Sequence, residues 1–391
     1  MVDQPKHSHL GASGMERWQN CPGSVALLKG LMLPESEEED FRVDGTTAHA
    51  GAAWCLENGC DAWEIVNNGF DGHAFTADMA IGVQVYLDVC RADQTETSET
   101  YVEYRISEPG VHPLFYGTAD DFTIEHTPDE NGDIWLNLND YKNGAGVVVE
   151  VKDNPQERYY AFGVLLNPNA AKVTKVRLRI VQPNAFHPDG PVREEVVDAE
   201  EIRAWGRDVL IPAMLRAELD DSLDPGPWCR FCPAKLVCPV LTGLFSALCN
   251  ANPQTVVELS DDALGRDYQY KQVVQFYLKA MEVEVFRRLN LGHTVKGTKL
   301  VYKKADRVWM DGAAARFVEA YGDKAFTKPE LLSPAQMERV DVQAKTLVKE
   351  WAYAPKTGLT VALESDKKVG VNVKTLTETF GATVANMEQS E

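Results

Sequence analysis

The sequence predicts an α/β core, a sheet flanked by helices, followed by a mainly helical C-terminal extension. Three observations carry this. Residues Tyr101 to Lys152 alternate apolar and polar side chains between turn signals, the period-two texture of a sheet. Runs of good helix formers, each opened by a start signal, precede and follow that segment. Beyond Asn250 the texture restarts with a long helical run, which predicts a core over 1–250 and an extension over 251–391. At 391 residues, 44% hydrophobic and 25% charged, the chain can bury a full core.

The elements follow in order. Ser13 and Glu16 have capping-box spacing and predict a short helix running into Cys21 and Pro22. The acidic stretch Pro34 to Asp40 reads as an exposed loop. Thr46 and Thr47 precede helix formers ending near Gly59, which puts His49 in a first helical turn. Another helix follows Thr76. Residues 117–126 and 134–142 flank the turn-like TPDENGD and predict a hairpin. Asn154 and Pro155 read as an N-cap and a first-turn proline, opening a helix through Tyr160 toward Leu166. A basic strand with Lys172, Lys175, Arg177 and Arg179 and a helix from about Ala199 to Leu219 complete the core; the strand is either a solvated face or faces a polyanion. In the extension, a helix from Ser260 to about Leu291 precedes a hairpin over KLVYKKADRVWM and two or three more helices. That hairpin either packs on the helix or contacts nucleic acid through Tyr302, Trp309, Lys303, Lys304 and Arg307.

Composition excludes some classes. A formal charge of −20 argues against a protein that coats nucleic acid, because such affinity comes mainly from Lys and Arg on phosphates. It leaves room for a metal site, which brings its own carboxylates. The sequence holds no apolar run of membrane length and no signal-peptide layout, so a soluble cytoplasmic protein without a membrane partner is expected. In that compartment eight cysteines do not read as a disulfide framework. Cys229-x2-Cys232-x5-Cys238 offers three thiolates in a proline-rich loop, and one more would complete a zinc or iron–sulfur site. Cys55, Cys60, Cys90 and Cys249 read as small core residues or incidental thiols.

The hairpin carries the chemistry. If His126 pairs with Ile134, Asp120 falls opposite Asp140, and alternation puts both on one face with Phe122, Ile124, Leu136, Leu138 and Lys142. Opposed carboxylates repel, Lys142 offsets part of the repulsion, and a divalent cation, Mg²⁺ or Mn²⁺, would offset the rest. The other acid-x-lysine, Glu150-Val151-Lys152, pairs far from Asp120 in this register and reads as a solvated strand face. Glu103, in the preceding strand, is a candidate additional ligand.

Gly117-Thr-Ala-Asp120, then Asp140-Tyr-Lys142-Asn-Gly144, then Gln156 with Tyr160 resembles the G-x-x-D, D-x-K-x-G and Q-x-x-x-Y series of the RecB/AddB-like nucleases of the PD-(D/E)XK superfamily. That group includes phage-encoded exonucleases and CRISPR-associated adaptation nucleases, and the order agrees over residues 13 to 245. The resemblance implies a restriction-endonuclease-like core with a mixed central sheet. It also implies a cation held by His49, Asp120, Asp140 and the Tyr141 carbonyl, with Lys142 orienting water or phosphate and Gln156 and Tyr160 positioning site or strand. Relatives with an iron–sulfur staple take one cysteine from ahead of the core and three from behind it, which makes Cys21 the fourth ligand beside Cys229, Cys232 and Cys238. A [4Fe-4S] cluster is then favoured over Zn²⁺ on the resemblance. The implied activity is a metal-dependent DNA exonuclease on single strands or duplex ends, in phage or prophage recombination or replication in a bacterial host cytoplasm, with a recombinase or single-strand annealing partner. A structure-specific endonuclease and a non-catalytic DNA-end-binding subunit are the alternatives.

Overall fold

The computed structural model describes residues 8–29, 40–70, 72–250, 257–303, 307–327, 330–331, 333–337, 342–353, 359–363 and 369–370. The predicted acidic loop falls on residues outside this set, except Asp40, and so does Lys304. The chain forms two compact units, Met1–Tyr277 and Leu278–Glu391. The division lies beyond the change of texture near residue 250.

The first unit is built on a five-stranded sheet. A short pair, β1 (Gly69–Phe70) and β2 (His73–Ala74), precedes it. The sheet strands are β3 (Ser98–Ser107), β4 (Tyr116–Glu125), β5 (Trp135–Tyr141), β6 (Lys175–Val181) and β7 (Val192–Asp198), in that spatial order. Strands β5 and β6 are parallel and the other neighbours antiparallel, so the sheet is mixed. The parallel pair needs a crossover, which helix α5 (Pro155–Leu165) supplies. Earlier in the chain lie α1 (Met15–Asn20), α2 (Gly23–Lys29), α3 (Asp40–Asn58) and α4 (Ala77–Ala92). After the sheet come α6 (Ala199–Trp205), a π turn, α7 (Ile211–Leu219) and α8 (Pro239–Cys249).

Alternation along the strands separates two faces. Phe122, Ile124, Leu136, Leu138, Val176, Leu178 and Ile180 form one core with residues of α1, α5, α6 and α7. Each large apolar side chain so buried contributes about 1.5–3 kcal/mol. Across the sheet, Tyr141 and Val181 pack on α3 and α4 through Ala48, Val83, Tyr86 and Leu87. The β4–β5 register pairs Asp121 with Asn139, Phe122 with Leu138 and Ile124 with Leu136, as the hairpin arithmetic requires.

The start signals at two helices are satisfied: the Thr76 hydroxyl accepts from the Met79 N–H, and the Asn154 side chain accepts from the N–H groups of Gln156 and Glu157. Elsewhere the structure corrects the expectations. Helix α3 starts at Asp40, so Thr46, Thr47 and His49 lie in its interior; Thr47 is buried there as a packing residue, not a cap. No side chain caps α1. Residues 147–152 are not a strand, because side chains take the backbone groups that a ladder would use. The Gln182 carboxamide donates to the carbonyls of Gly144 and Val147 and accepts from the Val149 N–H, while Arg193 donates to the Val149 carbonyl. Glu150 and Lys152 are exposed on this irregular segment. The basic strand is neutralised locally: Arg179 pairs with Asp93, Arg177 and Arg179 lie near Glu194, and Lys175 pairs with Asp198.

Past α8, the expected single helix is broken at Tyr270 into α9 (Asp261–Gln269), capped by Ser260, and α10 (Lys271–Asn290). In the second unit the expected hairpin is absent among the described residues. Strand β8 (Thr298–Tyr302) pairs with Leu359–Leu363, and β9 (Val308–Trp309) pairs with Ala352–Tyr353. Trp309 packs at 4.7 Å from Phe317 against a small core of Ala313, Met337, Leu347 and Val348, so it serves packing here.

Candidate metal centre and cysteine cavity

The carboxylates gather where β4 and β5 end their pairing. Beyond the Asp121–Asn139 pair, the Tyr141 N–H donates to Asp120 Oδ2 at 2.9 Å. The same oxygen lies 3.4 Å from His49 Nδ1, delivered by α3, whose ring stands edge-on to Tyr141 at 5.3 Å. On the other side of Asp120 the β3–β4 ladder pairs Val102 with Asp121 and Tyr104 with Ala119, leaving Glu103 level with Asp120. Glu103 adopts φ 46°, a conformation rare outside glycine. His49, Glu103 and Asp120 each offer one ligand atom, all within 4.8 Å of one another. Two carboxylates and an imidazole at that spacing suit a divalent cation.

Asp140 occupies the adjoining strand and is buried. Its Oδ1 accepts from Gln156 Nε2 at 2.8 Å, and its Oδ2 lies 2.6 Å from Lys142 Nζ. Burial pushes the Asp140 carboxyl up, against the pull of Lys142. For Lys142, burial pulls down, but Asp140 and Asp120 together hold the ammonium above its ordinary value. Tyr160 lies in the same neighbourhood, its phenol raised by burial and then by Asp120 and Asp140. The glycine of Gly117-Thr-Ala-Asp120 has a steric reason: a Cβ there would meet the Tyr160 ring at 3.0 Å.

Of the residues singled out in the sequence, His49 and Asp120 are in contact, and Asp140, Lys142 and Gln156 form a second contact group beside them. Tyr141 reaches Asp120 through its N–H. Glu103 joins the first group. Glu157 was not foreseen: it is fully buried, neither carboxylate oxygen has a hydrogen-bond partner, and burial, then Asp140, keeps its carboxyl well above the usual range. It escapes sequence reasoning because α5 is buried all round, from Glu157 to Leu165, so no polar face betrays which acid points inward.

Comparison with known proteins bears on the whole chain. Residues 7–369 match the family described as "Protein of unknown function (DUF2800)". The chain belongs to the DUF2800 family. A solved structure titled "Crystal structure of SSO0001" aligns with 51% of this DUF2800 chain and 84% of its own length, at 14% identity and a TM-score of 0.22, a likeness too loose to carry an argument.

The second feature of this DUF2800 protein is a cavity where the two ends of the first unit meet. Arg17, Cys21, Trp228, Cys229, Cys232 and Cys238 line it, with Leu27 and Leu241 among its apolar walls. Cys21 follows α1, its N–H bonded to the Arg17 carbonyl; Cys229 lies within a 3-10 turn, Pro227–Phe231, that Cys232 ends; Cys238 stands at the N-cap of α8. The Gly226 N–H donates to Cys229 Sγ at 3.5 Å. Burial raises the thiols of Cys21 and Cys232 and lifts that of Cys229 to about 11. Metal binding would displace those protons. All four predicted cysteines thus line one cavity, while Cys55 and Cys90 are buried in the core packed on α3 and α4, as small residues.

Proposed function

We propose that this protein is a divalent-metal-dependent deoxyribonuclease with a PD-(D/E)XK core and a four-cysteine iron–sulfur staple. The observation that carries the reading is the convergence of Asp120, Asp140, Lys142 and Gln156, with His49 and Glu103, at one end of a mixed sheet. The residues fit Mg²⁺ or Mn²⁺: hard oxygen ligands and one imidazole, with carboxylates on three neighbouring strands that repel one another unless a cation intervenes. His49, Asp120 and Glu103, with Asp140 alongside, would hold the ion. Bound there, it would activate water and stabilise charge developing on a phosphate. Gln156 fixes Asp140 by its hydrogen bond. Lys142 keeps its proton and presents an ammonium to a water or a phosphate oxygen at the rim.

The cysteine cavity supports the staple. Cys21, Cys229, Cys232 and Cys238 line one cavity, a donor set that suits zinc or an iron–sulfur cluster, and the cluster is preferred on the resemblance to stapled RecB-like nucleases. DNA is the proposed substrate, with exonuclease action on single strands or duplex ends as the first reading.

The test is cleavage of end-labelled single- and double-stranded linear DNA against a closed circle with Mn²⁺ or Mg²⁺, on anaerobically purified protein, beside Asp140→Ala. Metal-dependent loss of linear DNA alone, absent in the variant, supports the exonuclease; nicking of the circle points to an endonuclease. No cleavage of any substrate, together with no calorimetric Mn²⁺ binding that depends on Asp120, overturns the nuclease reading.

A further inference from the structure

We propose that Arg17 is the built-in counter-charge of an anionic, cysteine-held centre and sets its reduction potential. The inference rests on the iron–sulfur reading of the cavity and assigns a role to a residue outside the ligand set.

Arg17 lines the cavity together with all four cysteines. It sits on α1, four residues ahead of Cys21, so the helix that delivers the first ligand delivers the guanidinium too. Its Nη1 donates to the Ser24 hydroxyl at 2.7 Å. A hydroxyl satisfies one N–H but supplies no charge. Asp224, the carboxylate on the cavity wall, is half exposed and lies 4.0 Å from Arg216. Lys235, another cation near these cysteines, donates to the Arg230 carbonyl. A partly desolvated guanidinium is costly unless an anion compensates it. Arg17 shares that cavity wall with Cys21 and Cys232. Among the described residues no carboxylate pairs with Arg17, and thiolates around a metal cluster in the shared cavity would supply an anion.

The electrostatic consequence is directional. Reducing the cluster adds one negative charge, and an adjacent guanidinium favours that state, so removing it makes reduction harder. In the full-length protein purified anaerobically, the measurements are iron and sulfide content and the midpoint potential from a mediated redox titration. Arg17→Met is expected to keep its iron and shift the potential to more negative values, with Arg17→Lys close to wild type. Should Arg17→Met lose the cluster while Arg17→Lys retains it, the requirement for charge stands. Equal potentials in wild type and Arg17→Met at full iron content, or cluster loss in both variants, would overturn the proposal while leaving the staple itself intact. Wild-type protein devoid of iron and sulfide would remove the staple and this inference together.

Discussion

The carboxylate corner and the cysteine cavity solve opposite electrostatic problems in one unit. At the corner, acids from three strands face each other across half-open surface, and a single ammonium, Lys142, sits among them. In the cavity four thiols, those of Cys21, Cys229 and Cys232 raised by burial, share apolar walls with one guanidinium. The first arrangement stores repulsion at a place a substrate can reach. The second stores latent charge where solvent is scarce. The difference teaches that, on the proposed reading, an exposed acid cluster is organised for turnover and an enclosed thiol set for holding distant segments together, and substitution should separate them.

The largest expected effect is on catalysis at the corner. Asp140→Ala should lower metal-dependent DNA cleavage by about a thousandfold, roughly 4 kcal/mol of barrier, while circular dichroism and the melting temperature stay near wild type. Glu103→Gln is the finer cut: calorimetric Mn²⁺ affinity should fall about tenfold, and unchanged affinity would remove Glu103 from the ligand set. At the cavity the signature inverts. Cys232→Ser should bleach the protein and cost on the order of 5 kcal/mol, the loop-closure scale for ends about 200 residues apart, with cleavage retained at low temperature. A variant that kept full visible absorbance would sink the cluster assignment.

A smaller effect tests the sheet face behind the corner. Asp121 is buried under Asn139, and burial lifts its carboxyl to about 6, against the hydrogen bonds from Asn139 and Cys90. A folded-state value above the unfolded one favours the protonated form. This contribution is therefore complete below about pH 4 and is lost as pH rises through 6, by roughly 3 kcal/mol. Asp121→Asn should remove that slope and melt higher than wild type at pH 7.5, as read by calorimetry across pH 4–8. The smallest is Asn154→Ala, which removes the cap of α5 and should cost about 1 kcal/mol; it also loosens Gln156, so cleavage should drop more than stability does.

The corner was legible because its residues are close in sequence and strands alternate strictly. One assumed pair, His126 with Ile134, fixes the level of Asp120 and Asp140, and the Asn154–Pro155 signal fixes the start of the helix that brings Gln156 to Asp140. Glu103 was singled out as a candidate ligand from its strand, and the structure brings it within 4.8 Å of His49 and Asp120, although the backbone excursion it adopts is not encoded in composition. Arg17 and Glu157 were invisible because their surroundings are tertiary. The second unit was read least well: β8 and β9 find partners some fifty residues on, and a long-range pairing leaves no local pattern.

The Gln182 side chain has a practical reach beyond architecture. A single carboxamide, seated on β6's exit, clips the chain that leaves the Lys142 region at three backbone points between Gly144 and Val149. Because no ladder hydrogen bond passes through Ala145 and Gly146, both exposed, added length there leaves the strand register undisturbed. That short span is therefore a natural grafting point for a fluorophore or a small tag, a reporter placed within a few residues of the ammonium without altering the sheet that holds it.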